Sequence, residues 1–215
     1  MRSSRVVAAV LLLVAAALAG CGSDGLGDQG GDRTARPSHA TVGSFPEPLL
    51  HGKSGKRYPV VLECSGDAGA ACADVAQRLT DAGVPAARQL LGTGVGQDTL
   101  RVFVGPWREL HGDVALDQLD RGPRLSGVPA RFAAGGARLD LLDARGATAR
   151  TLGAGAGLVA ATAFAEQAPT WMVTGTDLLG VRAAAGALTA PRLAGHRALA
   201  LAPGSGDLPL PLARR

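Results

Sequence analysis

Apolar and polar positions alternate with two different periods along this chain, and the changes of period mark its elements. Residues 58–63 form a run with β-branched positions, with Pro59 at its edge, and predict a strand. Residues 70–82 place Cys72, Val75, Leu79 and Ala82 at helical spacing, with Gly83 at the expected C-cap and Val84-Pro85 blocking continuation. A short strand is expected over 86–91. Residues 99–105 then alternate cleanly, Leu100, Val102 and Val104 on one face and Arg101 and Phe103 on the other, until Pro106.

The second half repeats this grammar less regularly. Asp113 is the expected N-cap of a short helix through Asp120, closed by Gly122-Pro123. Residues 128–134 and 137–142, joined by Gly135-Gly136, predict a β-hairpin with the glycine pair at positive φ. The glycine-rich stretch 153–157 is a turn before an apolar strand, 158–163. Residues 170–188 form the clearest local unit. Trp171-Met172-Val173 predicts a strand, Thr174-Gly175-Thr176-Asp177 a turn with a cap, and Leu178, Val181, Ala185 and Leu188 the buried stripe of a helix. Residues 196–202 predict a last strand. Together these elements indicate an α/β fold, with α+β the alternative: a single domain with a mixed sheet and about three helices.

The amino-terminal pattern is of another kind. Arg2 and Arg5 precede a continuous apolar run, 6–17, and then Leu18-Ala19-Gly20-Cys21. This is the order of a bacterial lipoprotein signal: a charged region, a short apolar region, and small residues before an acylated cysteine. Residues 6–20 are too few to span a bilayer, which takes about 20 apolar residues. The organisation expected is a signal peptide over 1–20, a flexible tether over 21–48 with lipidated Cys21, and the domain over 49–215. The location expected is the outer, extracytoplasmic face of the cell membrane, with the protein held there by palmitate-type acyl chains.

Composition narrows the function more than it defines it. Removal of a signal bearing Arg2 and Arg5 takes two of 22 basic residues and leaves 20 against 18 acidic ones. With aromatics at 3%, there is neither a basic groove nor a stacking platform, and nucleic acid is not expected as a partner. The three cysteines resolve into Cys21 and a pair, Cys64 and Cys72, expected at a strand end and on the first turn of the next helix. In an exported protein such a pair is expected to form a structural disulfide, since C-x-x-C spacing and a nearby histidine are both missing.

Candidate chemistry is thin. Gly25 to Gly30 matches G-x-G-x-x-G without a preceding strand, and Gly52-Lys53-Ser54 lacks the earlier glycine of a phosphate loop. His39, His51, His111 and His196 stand apart, and the pair Asp140 and Asp143 suits a solvated hairpin. No nucleophile, base and orienter assemble, so an enzyme is left open but unmotivated, and no metal or cofactor is implied. The ligand candidates are Thr174, Gly175, Thr176 and Asp177, because a strand-turn-helix unit aims backbone N–H groups at a sheet's carboxyl edge.

Two resemblances add to this reading. Gly43-Ser44-Phe45-Pro46-Glu47-Pro48, His51-Gly52, Gly55-Lys56-Arg57, Val104-Gly105-Pro106-Trp107, Arg121-Gly122-Pro123, Ser126-Gly127-Val128, Ala130-Arg131-Phe132, residues 141–146 and 157–161, and Val173-Thr174-Gly175-Thr176-Asp177 together resemble a family of uncharacterised actinobacterial lipoproteins, over most of residues 42–212. Many members carry a further domain related to the carboxyl-terminal domain of transcobalamin, for which the short tether here leaves no room. The resemblance implies an accessory role in micronutrient capture beside energy-coupling-factor vitamin transporters, with a transporter or other envelope protein as partner. It supplies no catalytic residues.

The second resemblance is to SPOR domains, over residues 58–131. The strand, helix and Arg101-Val102-Phe103-Val104-Gly105-Pro106-Trp107 segment is similar to theirs. It implies peptidoglycan binding through a sheet face bearing Arg101 and Phe103. The function expected is therefore that of a lipid-anchored extracytoplasmic binding or accessory protein, with a peptidoglycan-binding module as the alternative and an envelope hydrolase third.

Overall fold

Strand formation follows the apolar alternation closely. The computed structural model describes residues 41–51, 57–96, 98–162 and 169–213. The signal segment, Cys21, residues 22–40 of the tether and the Gly-Lys-Ser turn lie outside the described residues. Strands run along the chain as β1 (Val60–Cys64), β2 (Ala86–Leu90), β3 (Leu100–Pro106), β4 (Ala130–Ala133), β5 (Arg138–Leu142), β6 (Thr148–Leu152), β7 (Gly157–Thr162), β8 (Thr170–Gly175), β9 (Ala198–Ala202) and β10 (Gly206–Leu210). A seven-stranded mixed sheet has the order β10-β9-β7-β8-β3-β1-β2, and β4-β5-β6 form a separate antiparallel sheet. Strands β2, β1, β3 and β8 are mutually parallel, while β7 is antiparallel to both β8 and β9.

The large sheet is covered on both faces, so its central strands are apolar in both phases. One face, with Leu62, Val102, Val159, Trp171 and Val173, packs with Val75 and Leu79 of α2 (Gly69–Asp81) and with Val181 and Ala185 of α5 (Leu178–Ala187). The other, with Phe103, Leu158, Ala160, Met172 and Ala200, packs with Phe132, Leu139 and Leu141 of the small sheet. Trp107, just past β3, stacks on Phe132 with ring centroids 4.8 Å apart, fastening the small sheet to the large one. The mixed α/β fold is as the pattern predicts.

Several expectations are corrected. In place of about three helices there are about six among the described residues. The additional ones are single turns: α1 (Glu47–His51), α3 (Trp107–Leu110), α4 (Pro123–Ser126) and α6 (Ala190–Leu193), too short to carry a 3.6-residue period. The helix expected over 113–120 is a succession of turns. The Asp113 carboxylate accepts from the Ala115 N–H, its carbonyl accepts from Leu116 and Asp117, and the Asp117 carboxylate accepts from the Gly112 N–H. Such local side-chain bonds offer the backbone an alternative to the helix.

Strands β6 and β10 were not indicated by pattern. Four of the five residues of β6 are exposed, and β10 contains Pro209, tolerated because β10 is an edge strand with β9 as its neighbour. Residues 42–48, assigned to the tether by composition, belong to the fold. Val42 is fully buried, its N–H bonds the Arg197 carbonyl at 3.3 Å, and the Phe45 ring lies 5.8 Å from that of Trp171. Two well-placed apolar anchors suffice to dock a segment that reads as polar.

The Cys64–Cys72 disulfide is present, with Cα atoms 6.0 Å apart, joining the end of β1 to the first turn of α2. Both cysteines are buried.

Candidate functional site

The strand-turn-helix unit at 174–177 turns inward. Asp177 caps α5, one carboxylate oxygen accepting from the Gly180 N–H at 2.9 Å and the other from the Gly155 N–H at 2.7 Å. The Thr176 hydroxyl donates to the Gly153 carbonyl and accepts from the Ala156 N–H. Thr174 is fully buried. Gly175 is packed so closely that a Cβ there would lie 2.7 Å from the Ala156 carbonyl oxygen. Asp177 and Thr176 lock the 153–157 turn onto the start of α5, and the N–H groups of Gly155, Ala156, Thr176, Gly180 and Val181 are already bonded within the fold.

Arg101 and Phe103 are likewise occupied. Phe103 is fully buried, and the Arg101 guanidinium sits 4.4 Å from its ring centroid while bonding Glu63 and Asp113. The turns at 111–121 lie over this face, with Leu116 and Leu119 in the same apolar cluster as Phe103. At these two residues no open sheet face is presented to a glycan.

The carboxyl ends of β1 and β3, where the strand order reverses, are the usual ligand crevice of an open α/β sheet. Here the end of β3 packs directly against side chains of the neighbouring segments. A Cβ on Gly105 would meet the Ser65 hydroxyl at 2.5 Å and the Leu110 side chain at 3.2 Å.

His39 lies outside the described residues, and the three described histidines remain apart. His51 faces Glu47 at 3.3 Å on the exposed α1, and His111 and His196 lie on separate segments. Among the described residues, no three His, Cys, Asp or Glu side chains are grouped to hold a metal ion. No described helix is long and apolar enough to cross a membrane.

What the fold does bring together is arginine. A cleft of about 760 Å³ opens where the approach to β4, the β5–β6 turn, the start of β9 and the end of β10 meet. Arg121, Arg124, Arg145 and Arg197 line it, with one carboxylate, Asp143. Three of these arginines sit on turns with defined backbone features, and the Arg197 carbonyl accepts from the Val42 N–H. Gly122, at φ 90°, and Pro123, at the first position of α4, set the turn carrying Arg121 and Arg124. Gly127 ends α4 at φ 73°, and the Ser126 hydroxyl donates to the Gly122 carbonyl and accepts from the Val128 N–H. Asp143 builds the other wall: its carboxylate accepts from the Arg145 and Ala147 N–H groups at 2.9 and 3.0 Å.

All four arginines are exposed, and among the described residues no ion pair joins any of them to a carboxylate. The arginines of β3 and α6 contrast with them: Arg101 is paired with Glu63 and Asp113, and Arg192 with Asp207. Sequence reasoning missed the cleft, because dispersed basic residues give no local signal. The only trace was Arg121-Gly122-Pro123-Arg124 and Asp143-Ala144-Arg145-Gly146, two turn motifs each carrying arginine.

Comparison of the chain with protein-family models, with curated proteins and with solved structures finds no match.

Proposed function

We propose that this chain is a lipid-anchored extracytoplasmic binding or accessory protein, tethered through acylated Cys21 to the outer face of the cell membrane. It acts beside a transporter or another envelope protein, with micronutrient uptake as the setting that the lipoprotein resemblance implies. The anchor rests on the order of charged, apolar and small residues that ends at Cys21. The observation that carries the binding role is the arginine-lined cleft: concave, charged and walled by hydrogen-bonded turns. Such a concave surface with convergent polar groups is the form a ligand site takes.

Two measurements test this reading. Cells fed a tagged fatty acid should label the wild-type chain and not a Cys21→Ala variant; equal labelling of both removes the anchor. A thermal-shift screen of the full chain against corrinoids, other vitamins, metals, phosphorylated metabolites and peptidoglycan fragments should yield a stabilising ligand. Saturation a hundredfold above the dissociation constant adds about 2.7 kcal/mol. Silence across the panel overturns small-ligand binding and leaves a protein partner as the role.

A further inference from the structure

We infer that the Arg121, Arg124, Arg145 and Arg197 cleft is a binding site for an anionic phosphoryl group, carried on a small organic ligand or on a lipid headgroup. The inference deepens the binding role above and rests on it. Among the described residues, four guanidinium groups against the carboxylate of Asp143 leave the cleft cationic. Exposed arginines spread over a convex surface are individually screened by water and salt. Gathered in a concavity, their fields focus on one volume.

The charge count selects the ligand chemistry. One carboxylate neutralises one arginine and accepts one fork. A phosphate monoester or diphosphate carries two or more charges, and its three terminal oxygens accept from several forks at once, the geometry that guanidinium matches best. The volume, about 760 Å³, lies within the range of pockets that take organic ligands and exceeds the need of a bare ion.

The walls are built for rigidity as well as charge. Asp143 spends one carboxylate oxygen on two amides of the turn that carries Arg145, so this carboxylate organises the site as well as lining it. Gly146, at φ 81°, brings that turn against Pro123, a Cβ there lying 3.6 Å from the proline ring. The Arg145 turn and the Arg124 turn thus lie side by side at the cleft.

Isothermal titration of the full chain in nonionic detergent, with inorganic pyrophosphate and with dihexanoyl phosphatidic acid, tests the inference. Dihexanoyl phosphatidylcholine is the neutral headgroup control. At least one of the two anionic probes should bind and weaken as salt is raised. Arg124→Ala and Arg145→Ala should each weaken binding about tenfold, about 1.4 kcal/mol, and Arg182→Ala, an exposed arginine on α5 outside the cleft, should not. Binding of pyrophosphate alone assigns a free ligand, and of phosphatidic acid alone a membrane headgroup. Binding of neither, or equal loss in the Arg182 variant, overturns the inference. A phosphate-free ligand emerging from the thermal-shift screen in that case would leave the broader binding role standing.

Discussion

Arg101 and Glu63 meet at 2.6 Å across neighbouring strands, the Nε of Arg101 donating to one carboxylate oxygen of a glutamate with no solvent exposure. The second arm of the guanidinium reaches Asp113 at 2.7 Å, so one side chain ties β1, β3 and the turns at 111–121 together. Burial pulls the Arg101 pKa down, yet the bonds and charges of Glu63 and Asp113 outweigh it and leave the pKa raised. The other Glu63 oxygen is buried without a hydrogen-bond partner among the described residues, which makes Arg101 its counter-charge.

Removing one member of this pair should cost far more than removing both. Arg101→Met leaves a buried carboxylate uncompensated and should destabilise by about 3–5 kcal/mol. Arg101→Met combined with Glu63→Leu should recover most of that. Urea denaturation of the two variants checks the relation; equal losses would mean that the pair contributes packing and no charge compensation.

The joint between β7, β8 and α5 permits no side chain at Gly180. A Cβ there would fall on the Ala156 carbonyl, well inside van der Waals contact, and one at Gly157 would strike the Gly180 carbonyl. Gly180→Ala should therefore lower stability by at least about 1–3 kcal/mol, as overpacking does. Gly186 lies on the same helix with nothing within 4 Å of its would-be Cβ, so Gly186→Ala should raise stability by up to about 1 kcal/mol. Opposite shifts in melting temperature for two substitutions of the same type on one helix are the expected result.

The Cys64–Cys72 bridge closes a loop of sequence separation 8. On the chain-entropy model its loss should cost about 2–3 kcal/mol. Cys64→Ala/Cys72→Ala should lower the urea midpoint accordingly, and a reducing agent should do the same to the wild type and nothing to the variant.

Arg192 binds Asp207 through both carboxylate oxygens and fastens α6 to β10. Its hydrogen bonds hold the Asp207 carboxyl below the ordinary value of 3.8. The sign follows from linkage: the contribution is fully present above the unfolded value and is lost as pH falls through the lower folded value. Wild type should lose stability more steeply than Asp207→Asn below about pH 4. Melting temperatures followed from pH 6 to pH 2 test this, parallel curves being the contrary result.

Much of the local structure was legible in the chain. The runs at 58–63 and 99–105 are β1 and β3, and the stripe at Leu178, Val181 and Ala185 is α5, capped by Asp177 as expected. Cys64 and Cys72 pair because strand end and helix start are adjacent along the chain. These features depend on residues a few positions apart, within reach of periodicity, capping and loop closure. The single-turn helices, β6 and the docking of Val42 and Phe45 were not legible, since each depends on what lies opposite it.

The sequence by itself determined β1, β3, α2 and α5 and which cysteines bond, because those outcomes follow from side-chain spacing and local backbone geometry. Only the tertiary structure decided that Asp177 and Thr176 serve the fold, that Phe103 lies beneath a second layer, and that Arg121, Arg124, Arg145 and Arg197 share one cleft. Those arginines come from separate segments, and they are brought together by strand pairing and by the packing of one sheet on another, long-range contacts that leave no period along the chain.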